Sequence, residues 1–258
     1  MTERATAMPA VWIGEHGTGP RVVLVHGTMD RSSSFGRVSR VLDDLRVIRY
    51  DRRGYGRSVE TGPPVSFDQQ VDDLLDVLGG EPAVVFGHSY GGTIALGAAA
   101  RAPEPVRSVG VYECPLPWMP WWPTTSAGAS AVAAAKDPSE AAERFMRRLI
   151  GDRRWERLPP STRDARRAEG PTLVAEMANL RTGEAPFRLA DISVPVVASN
   201  GSEGVAHHAR SARAVAAGVA DGEHHVVEGV GHGIHLTHPA ELARLIRRAV
   251  ARADERGS

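Results

Sequence analysis

The stretch Ala83-Val84-Val85-Phe86-Gly87-His88-Ser89-Tyr90-Gly91-Gly92-Thr93-Ile94-Ala95-Leu96-Gly97-Ala98-Ala99-Ala100 decides the reading of this chain. Its first four residues form a short apolar run suited to a buried strand, and the residues from Gly92 onward are small and apolar, suited to a helix. Between them stands Gly87-His88-Ser89-Tyr90-Gly91, with a glycine two places before the serine and another two places after it. A strand that turns sharply into a helix lifts the middle side chain clear of the backbone. The flanking positions must be glycine because side chains there would meet the neighbouring strand and helix. Ser89 is therefore read as a nucleophile at the tip of a strand-turn-helix elbow, its hydroxyl open to a base and a substrate.

Working outward, the same alternation continues on both sides. Arg21-Val22-Val23-Leu24-Val25 is a β-branched run ending in His26-Gly27, a helical stretch follows around Ser34 to Leu42, and Arg46 to Tyr50 forms a second strand leading into Asp51-Arg52-Arg53-Gly54-Tyr55-Gly56-Arg57-Ser58. Ser66 is placed as the N-cap of a helix from Phe67 to Leu78, whose Val71, Leu74, Leu75 and Leu78 share one face. A strand from Val106 to Tyr112 ends at Glu113. The alternation then stops until Val194 to Ala198, after which come a helix from His207 to Val219, a strand from His224 to Glu228 and a closing helix from about Pro239 to Ala253. Strands alternating with helices predict an α/β fold with a mostly parallel sheet covered on both faces. The segments are a core at 1–114 and 190–258, and a helical insertion at 115–189 with no convincing buried strand.

The chain has 258 residues, 42% of them hydrophobic, enough for one large core and too short for two full-sized α/β domains. With 31 basic and 31 acidic residues the formal net charge is zero, so no field draws in nucleic acid or an acidic membrane surface. Lys136 is the only lysine, and arginine carries the rest of the positive charge. Cys114 is the only cysteine, which excludes an internal disulfide and a cysteine-cluster metal site. Met1 to Ala10 lack the apolar stretch of a signal peptide and no run is long enough for a membrane span, so a cytoplasmic location is the expectation. The ten histidines include no HExxH or similar helical pairing, and no metal is expected.

Four ordered motifs, His26-Gly27, the Asp51 to Ser58 loop, the elbow at Ser89 and Gly229-Val230-Gly231-His232, carry a resemblance to the α/β-hydrolase superfamily from about residue 11 to 253. The Asp51 to Ser58 loop is similar to that of cofactor-free hydrolases and haloperoxidase-like members. The resemblance implies an α/β-hydrolase fold with an eight-stranded, mostly parallel sheet and a helical cap. It further implies a Ser-His-acid triad beside an oxyanion hole, and no cofactor. Ser89 is then the nucleophile and His232 the base, with His235 the alternative; His26 and His88 are structural neighbours, and His207, His208, His224 and His225 are surface positions. In most relatives the acid follows a late strand in a Gly-x-x-Asp context. Here Gly201-Ser202-Glu203-Gly204 has glycine at that place. Certain relatives carry the acid at the end of the preceding strand, which favours Glu113, with Glu203 as the alternative. The oxyanion hole would use the backbone amides of Tyr90 and Thr28, Met29 being the alternative to Thr28.

Trp118, Met119, Trp121 and Trp122 stand just beyond Glu113. They are expected either to line an apolar substrate pocket or to pin the insertion to the sheet. The activity that the resemblance implies is hydrolysis of a carboxylic ester or lactone of small to medium, apolar character through an acyl-enzyme. Alternatives are hydrolysis of a carbon-carbon bond in a ketonic substrate, a biosynthetic tailoring step, and binding of a small ligand without catalysis. A serine at the elbow argues against haloalkane or epoxide chemistry, for which an aspartate would stand there.

Overall fold

A computed structural model describes residues 10–180 and 184–257. Two periodicities explain the sheet and its covering layers. Along the buried strands β2 (Arg21–Val25), β4 (Ala83–His88), β5 (Val106–Tyr112) and β6 (Val196–Gly201), side chains alternate between two cores. Val23, Val25, Val85, Val109, Val111, Val196 and Ala198 face one core, and Val22, Leu24, Val84, Phe86 and Val197 face the other. The sheet is completed by β1 (Ile13–His16), β3 (Arg46–Tyr50) and β7 (Gly222–Val227), in the spatial order β1-β3-β2-β4-β5-β6-β7. Among the described strands only β1 runs antiparallel, pairing Ile13 with Tyr50 and His16 with Val47.

Seven strands are described, where eight were expected. The reason lies before β2. A single short strand leads directly into Gly17-Thr18-Gly19-Pro20, where Gly17 and Gly19 have positive φ, and this turn delivers the chain straight to β2. No second antiparallel strand precedes it among the described residues.

Helices α2 (Phe67–Leu78), α3 (Tyr90–Arg101) and α9 (Ala206–Gly218) cover one face of the sheet. Helices α1 (Gly36–Val41) and α11 (Pro239–Gly257) cover the other, with the short α10 (Ile234–Thr237) beside them. Ser66 caps α2 by accepting a hydrogen bond from the Gln69 amide, and Val71, Leu74 and Leu78 are buried on its inner face.

Between β5 and β6 the described residues form five α-helices, α4 (Ala127–Ala133), α5 (Pro138–Ile150), α6 (Asp152–Glu156), α7 (Pro160–Ala168) and α8 (Gly170–Asn179). They enclose a third core, in which Ala141, Ala142, Met146, Trp155 and Leu173 pack with Met29 and Tyr55 of the sheet domain. The helical segment is thereby joined to the loops that leave β2 and β3.

Candidate active site

The elbow forms because three chain segments approach too closely for side chains. A Cβ at Gly87 would overlap the Gly91 carbonyl, and one at Gly91 would overlap the Val25 carbonyl. Ser89 therefore turns at φ 52° and ψ −129°, between the end of β4 and the first residue of α3. The Ser89 amide donates to Tyr112 O at 2.9 Å, and the Gly92 amide to Ser89 O at 2.8 Å, which holds the turn from both sides.

Among the described residues, Met29 (φ 54°), Ser89 (φ 52°) and Glu113 (φ 49°) are the non-glycine residues with positive φ. They fall in the loop after β2, at the elbow and just after β5. A left-handed conformation costs a residue with a side chain about 1 kcal/mol or more and persists where its surroundings enforce it. Strain gathered at these three places, all at the C-terminal edge of the parallel strands, marks one site.

Glu113 is fully buried, and both of its carboxylate oxygens are occupied. His232 Nδ1 donates to Oε2 at 2.6 Å, and the Gly201 amide donates to Oε1 at 3.1 Å. Burial pushes the carboxyl pKa up, but hydrogen bonds from His208 and His232 outweigh it and hold the group well below the usual carboxylate range. A Cβ at residue 204 would run into Oε1, so the Glu113 carboxylate fills the space that the glycine at 204 leaves. Glu203 is exposed, and its amide donates to Val230 O at 3.0 Å.

His232 lies half-buried in the loop after β7. Its carbonyl accepts from His88 Nε2 at 2.8 Å, and the two rings stand 4.7 Å apart, which docks this loop beside the elbow. With Nδ1 donating to the carboxylate, the neutral ring carries its lone pair on Nε2. The other nearby histidines are differently engaged. His26 Nε2 accepts from the Arg52 amide at 2.9 Å while its Nδ1 faces Gly27 O, and burial pushes its pKa down to about 3. Burial likewise pushes His88 well below the ordinary histidine value. His235, the alternative base, is buried with Nε2 at 3.3 Å from Asp30.

The loop after β2 abuts the serine: a Cβ at Gly27 would lie 2.9 Å from Ser89 Cβ. Thr28 Oγ1 donates to Glu176 Oε2 at 2.8 Å, Tyr55 Oη donates to the same oxygen at 2.8 Å, and Arg52 pairs with Glu176 Oε1. The Arg52 guanidinium also donates to the carbonyls of His26 and Gly27, each at 2.9 Å. Gln70 accepts from Arg52 and donates to Tyr90 Oη at 3.2 Å. This buried network fastens the β2 loop to α8. Arg52 stands in the Asp51 to Ser58 loop, but residue type and spacing alone assign neither it nor Glu176 a role. The available signal was a glutamate three residues after Leu173, on the inward stripe of an otherwise ordinary helix.

Trp118, Met119 and Trp121 pack against the core on the α2 and α3 side, with the Trp118 ring 5.3 Å from that of Phe187. Trp122 instead lies 4.7 Å from the His207 ring and 5.8 Å from the His208 ring. The four histidines read as surface positions are all half-buried, His207 against Trp122 and His224 bonded to the buried Asn200, and His208 departs furthest from that reading. Its side chain is 15% exposed, and Nδ1 lies 2.9 Å from Glu113 Oε2. It precedes the buried Ser211, Ala212 and Val215 at helical spacing, a stripe that was present in the sequence. Two open hollows of about 520 and 400 Å³ lie elsewhere, lined by residues such as Asp137 and Arg167 or His225 and Arg244, and neither includes Ser89.

Comparison with known proteins gives one consistent answer. A family model described as "Alpha/beta hydrolase family" matches residues 22–245. A segment of 96 residues is 34% identical to lipase LipV of Mycobacterium tuberculosis, covering 36% of each chain. Another, of 112 residues, is 33% identical to an epoxide hydrolase of Caballeronia sordidicola, covering 41% of this chain and 34% of that one. The matched region thus spans about a third of the length of these curated relatives. Among solved structures, the enol-lactonase of Burkholderia xenovorans LB400 superposes with a TM-score of 0.69 at 21% identity, over 93% of this chain and 96% of that one. That likeness is one of fold.

Proposed function

Since this chain belongs to the alpha/beta hydrolase family, we propose that it is a serine hydrolase of carboxylic esters or lactones of moderate, apolar character. The observation that carries the proposal is the pairing of His232 Nδ1 with a buried, ionised Glu113 carboxylate, beside a serine held at a strained elbow. A serine hydroxyl is a weak nucleophile at neutral pH and needs a base to take its proton.

In this reading Ser89 Oγ attacks the substrate carbonyl and His232 Nε2 takes the proton. Glu113 holds the imidazole in that tautomer and stabilises the imidazolium. The oxyanion of the tetrahedral intermediate is met by the amides of Tyr90 and of Thr28, with Met29 the alternative to Thr28. Collapse expels the alcohol, which takes its proton from His232. Water, activated by the same imidazole, then releases the acid from Ser89.

Similarity to an epoxide hydrolase does not transfer that reaction. Ring opening of an epoxide by serine would leave an ether on the enzyme, which water cannot cleave by addition to a carbonyl, whereas the acyl ester formed from a carboxylic ester can turn over. The helical segment α4–α8 is read as a cap over the site, with Trp122 at its approach.

The test is exposure of the purified protein to an activated fluorophosphonate, read by intact mass. A single adduct on the wild type that is missing in Ser89→Ala supports the proposal. A folded wild type that takes up none would overturn it. A panel of ester, lactone and ketonic substrates then sets the class.

A further inference from the structure

Glu113 Oε2 serves two imidazoles. His232 Nδ1 approaches it at 2.6 Å and His208 Nδ1 at 2.9 Å, while Oε1 takes the Gly201 amide at 3.1 Å. An ionised carboxylate only accepts, so both rings must present Nδ1–H to it. His208 comes from the first turn of α9, whose Ser211 Oγ donates to Cys114 O at 2.5 Å and so pins the helix to the residue after Glu113. The His208 ring lies 4.8 Å from that of His232 at an interplanar angle of 27°, with Trp122 packed beside it. The donor is therefore fixed by a helix, a hydrogen bond and two ring contacts.

We propose that His208 is a positioning residue, a second imidazole clamp on the Glu113 carboxylate that shares the acceptor oxygen of His232. The proposal rests on the reading of His232 and Glu113 as base and acid. Its physical basis is competition for one oxygen. Each donor draws electron density from Oε2, so with His208 in place the carboxylate stabilises a protonated His232 less than it would alone.

The clamp acts as a neutral group at neutral pH. Burial outweighs the bond to Glu113 and lowers the pKa of His208 from its ordinary value, and the nearby His232 adds to the lowering. The titratable groups facing the two rings are Glu113 after β5, His207 on α9 and His88 at the end of β4. Asp30 and His235 interact with His88 behind them. Of these only Glu113 bonds both rings.

The clamp also accounts for the placement of the acid. A glutamate side chain just after β5 has three rotatable bonds, and a single imidazole on Oε2 would leave rotation about them less well defined. The Gly201 amide and the space at Gly204 hold Oε1, and His208 adds a second donor on Oε2 from the α9 side.

The experiment is an NMR titration of ¹⁵N-histidine-labelled protein, following the midpoint of His232 in wild type, His208→Phe, His208→Ala and His208→Asn. The asparagine amide can place a donor near the position of imidazole Nδ1. The expected result is a His232 midpoint raised by roughly 0.5–1 pH unit in the Phe and Ala variants and returned toward wild type in Asn. The acid limb of fluorophosphonate reactivity should move with it. A purely structural His208 would lower stability without moving the midpoint. An unchanged midpoint in a folded Phe or Ala variant overturns the clamp, whether or not the serine reacts. A midpoint that moves as expected in a protein whose serine never reacts upholds the clamp and overturns the hydrolase reading.

Discussion

The Glu113 carboxylate takes three donors in a buried site, on a backbone residue with φ 49°. Glu113→Gln keeps the shape but offers one oxygen and one amide to two imidazoles that both donate. The rate of fluorophosphonate addition is expected to fall by roughly 10²–10⁴, read as a pseudo-first-order rate beside the wild type. The same carboxylate couples stability to pH. Its pKa in the folded state lies below its ordinary value of 4.5, so its stabilisation is complete above that value and is lost as pH falls. Urea midpoints should therefore drop less between pH 6 and pH 3 in Glu113→Gln than in the wild type, the pH range being roughly that of carboxylate titration. At position 204 a methyl group would enter the space of Oε1. Gly204→Ala is expected to slow the serine by about tenfold or more through displacement of the acid, with folding retained by circular dichroism. The serine, the histidine and the glycine gap at 204 were all legible from motif order. His208 was not, because two adjacent histidines at the start of an alanine-rich helix look like solvent-facing residues until the buried stripe through Ser211, Ala212 and Val215 is traced.

At the scale of elements, the join between α8 and the β2 loop rests on buried charge. Arg52 and Glu176 are 1% and 0% exposed, and each is satisfied by further hydrogen bonds. Burial works against the arginine's charge, and the Glu176 carboxylate more than restores it, so its pKa is raised. Breaking such a pair from one side leaves an uncompensated charge and costs about 3–5 kcal/mol. Glu176→Gln and Arg52→Gln should each lower the urea midpoint strongly, while the double variant loses less than the sum of the two. The tryptophans divide by what they touch. Trp121→Ala removes packing against the main core and is expected to lower stability by about 1–3 kcal/mol without altering acyl-length preference. Trp122→Ala alters the approach to His208 and should change reactivity more than stability, the two being separated by urea unfolding and ester kinetics. The sequence leaves these four residues, taken as a group, with two readings, lining a pocket or pinning the insertion to the sheet. It could not divide them, since neighbouring positions in a proline-rich loop have no fixed period from which a face can be read.

At the scale of the molecule, parallel strands gather everything at one edge. Gly27 and Thr28 follow β2, Ser89 follows β4, Glu113 follows β5, Gly204 follows β6 and His232 follows β7. Residues more than 200 positions apart in the chain meet because the crossovers return β2 to β7 to the same direction. The surface is laced with arginine pairs such as Arg46 with Glu15 and Arg101 with Asp72, all well exposed. Exposed pairs contribute about 0–1 kcal/mol each and are screened by salt. Among the described residues no helix is long and apolar enough to cross a membrane.

The sequence by itself determined the alternation of strands and helices, the elbow at Ser89 and the nomination of His232 and Glu113, because these depend on residue type at short spacing. Steric demand at a turn and the period of a buried face are local properties, and a local pattern records them. Only the tertiary structure decided that one oxygen of Glu113 serves two imidazoles and that Glu176 anchors the β2 loop through Arg52. It also decided that the sheet has seven described strands. Those facts depend on distances between segments brought together by crossovers, and hydrogen-bond partners separated by 124 residues, as Arg52 and Glu176 are, leave no periodic trace in the chain.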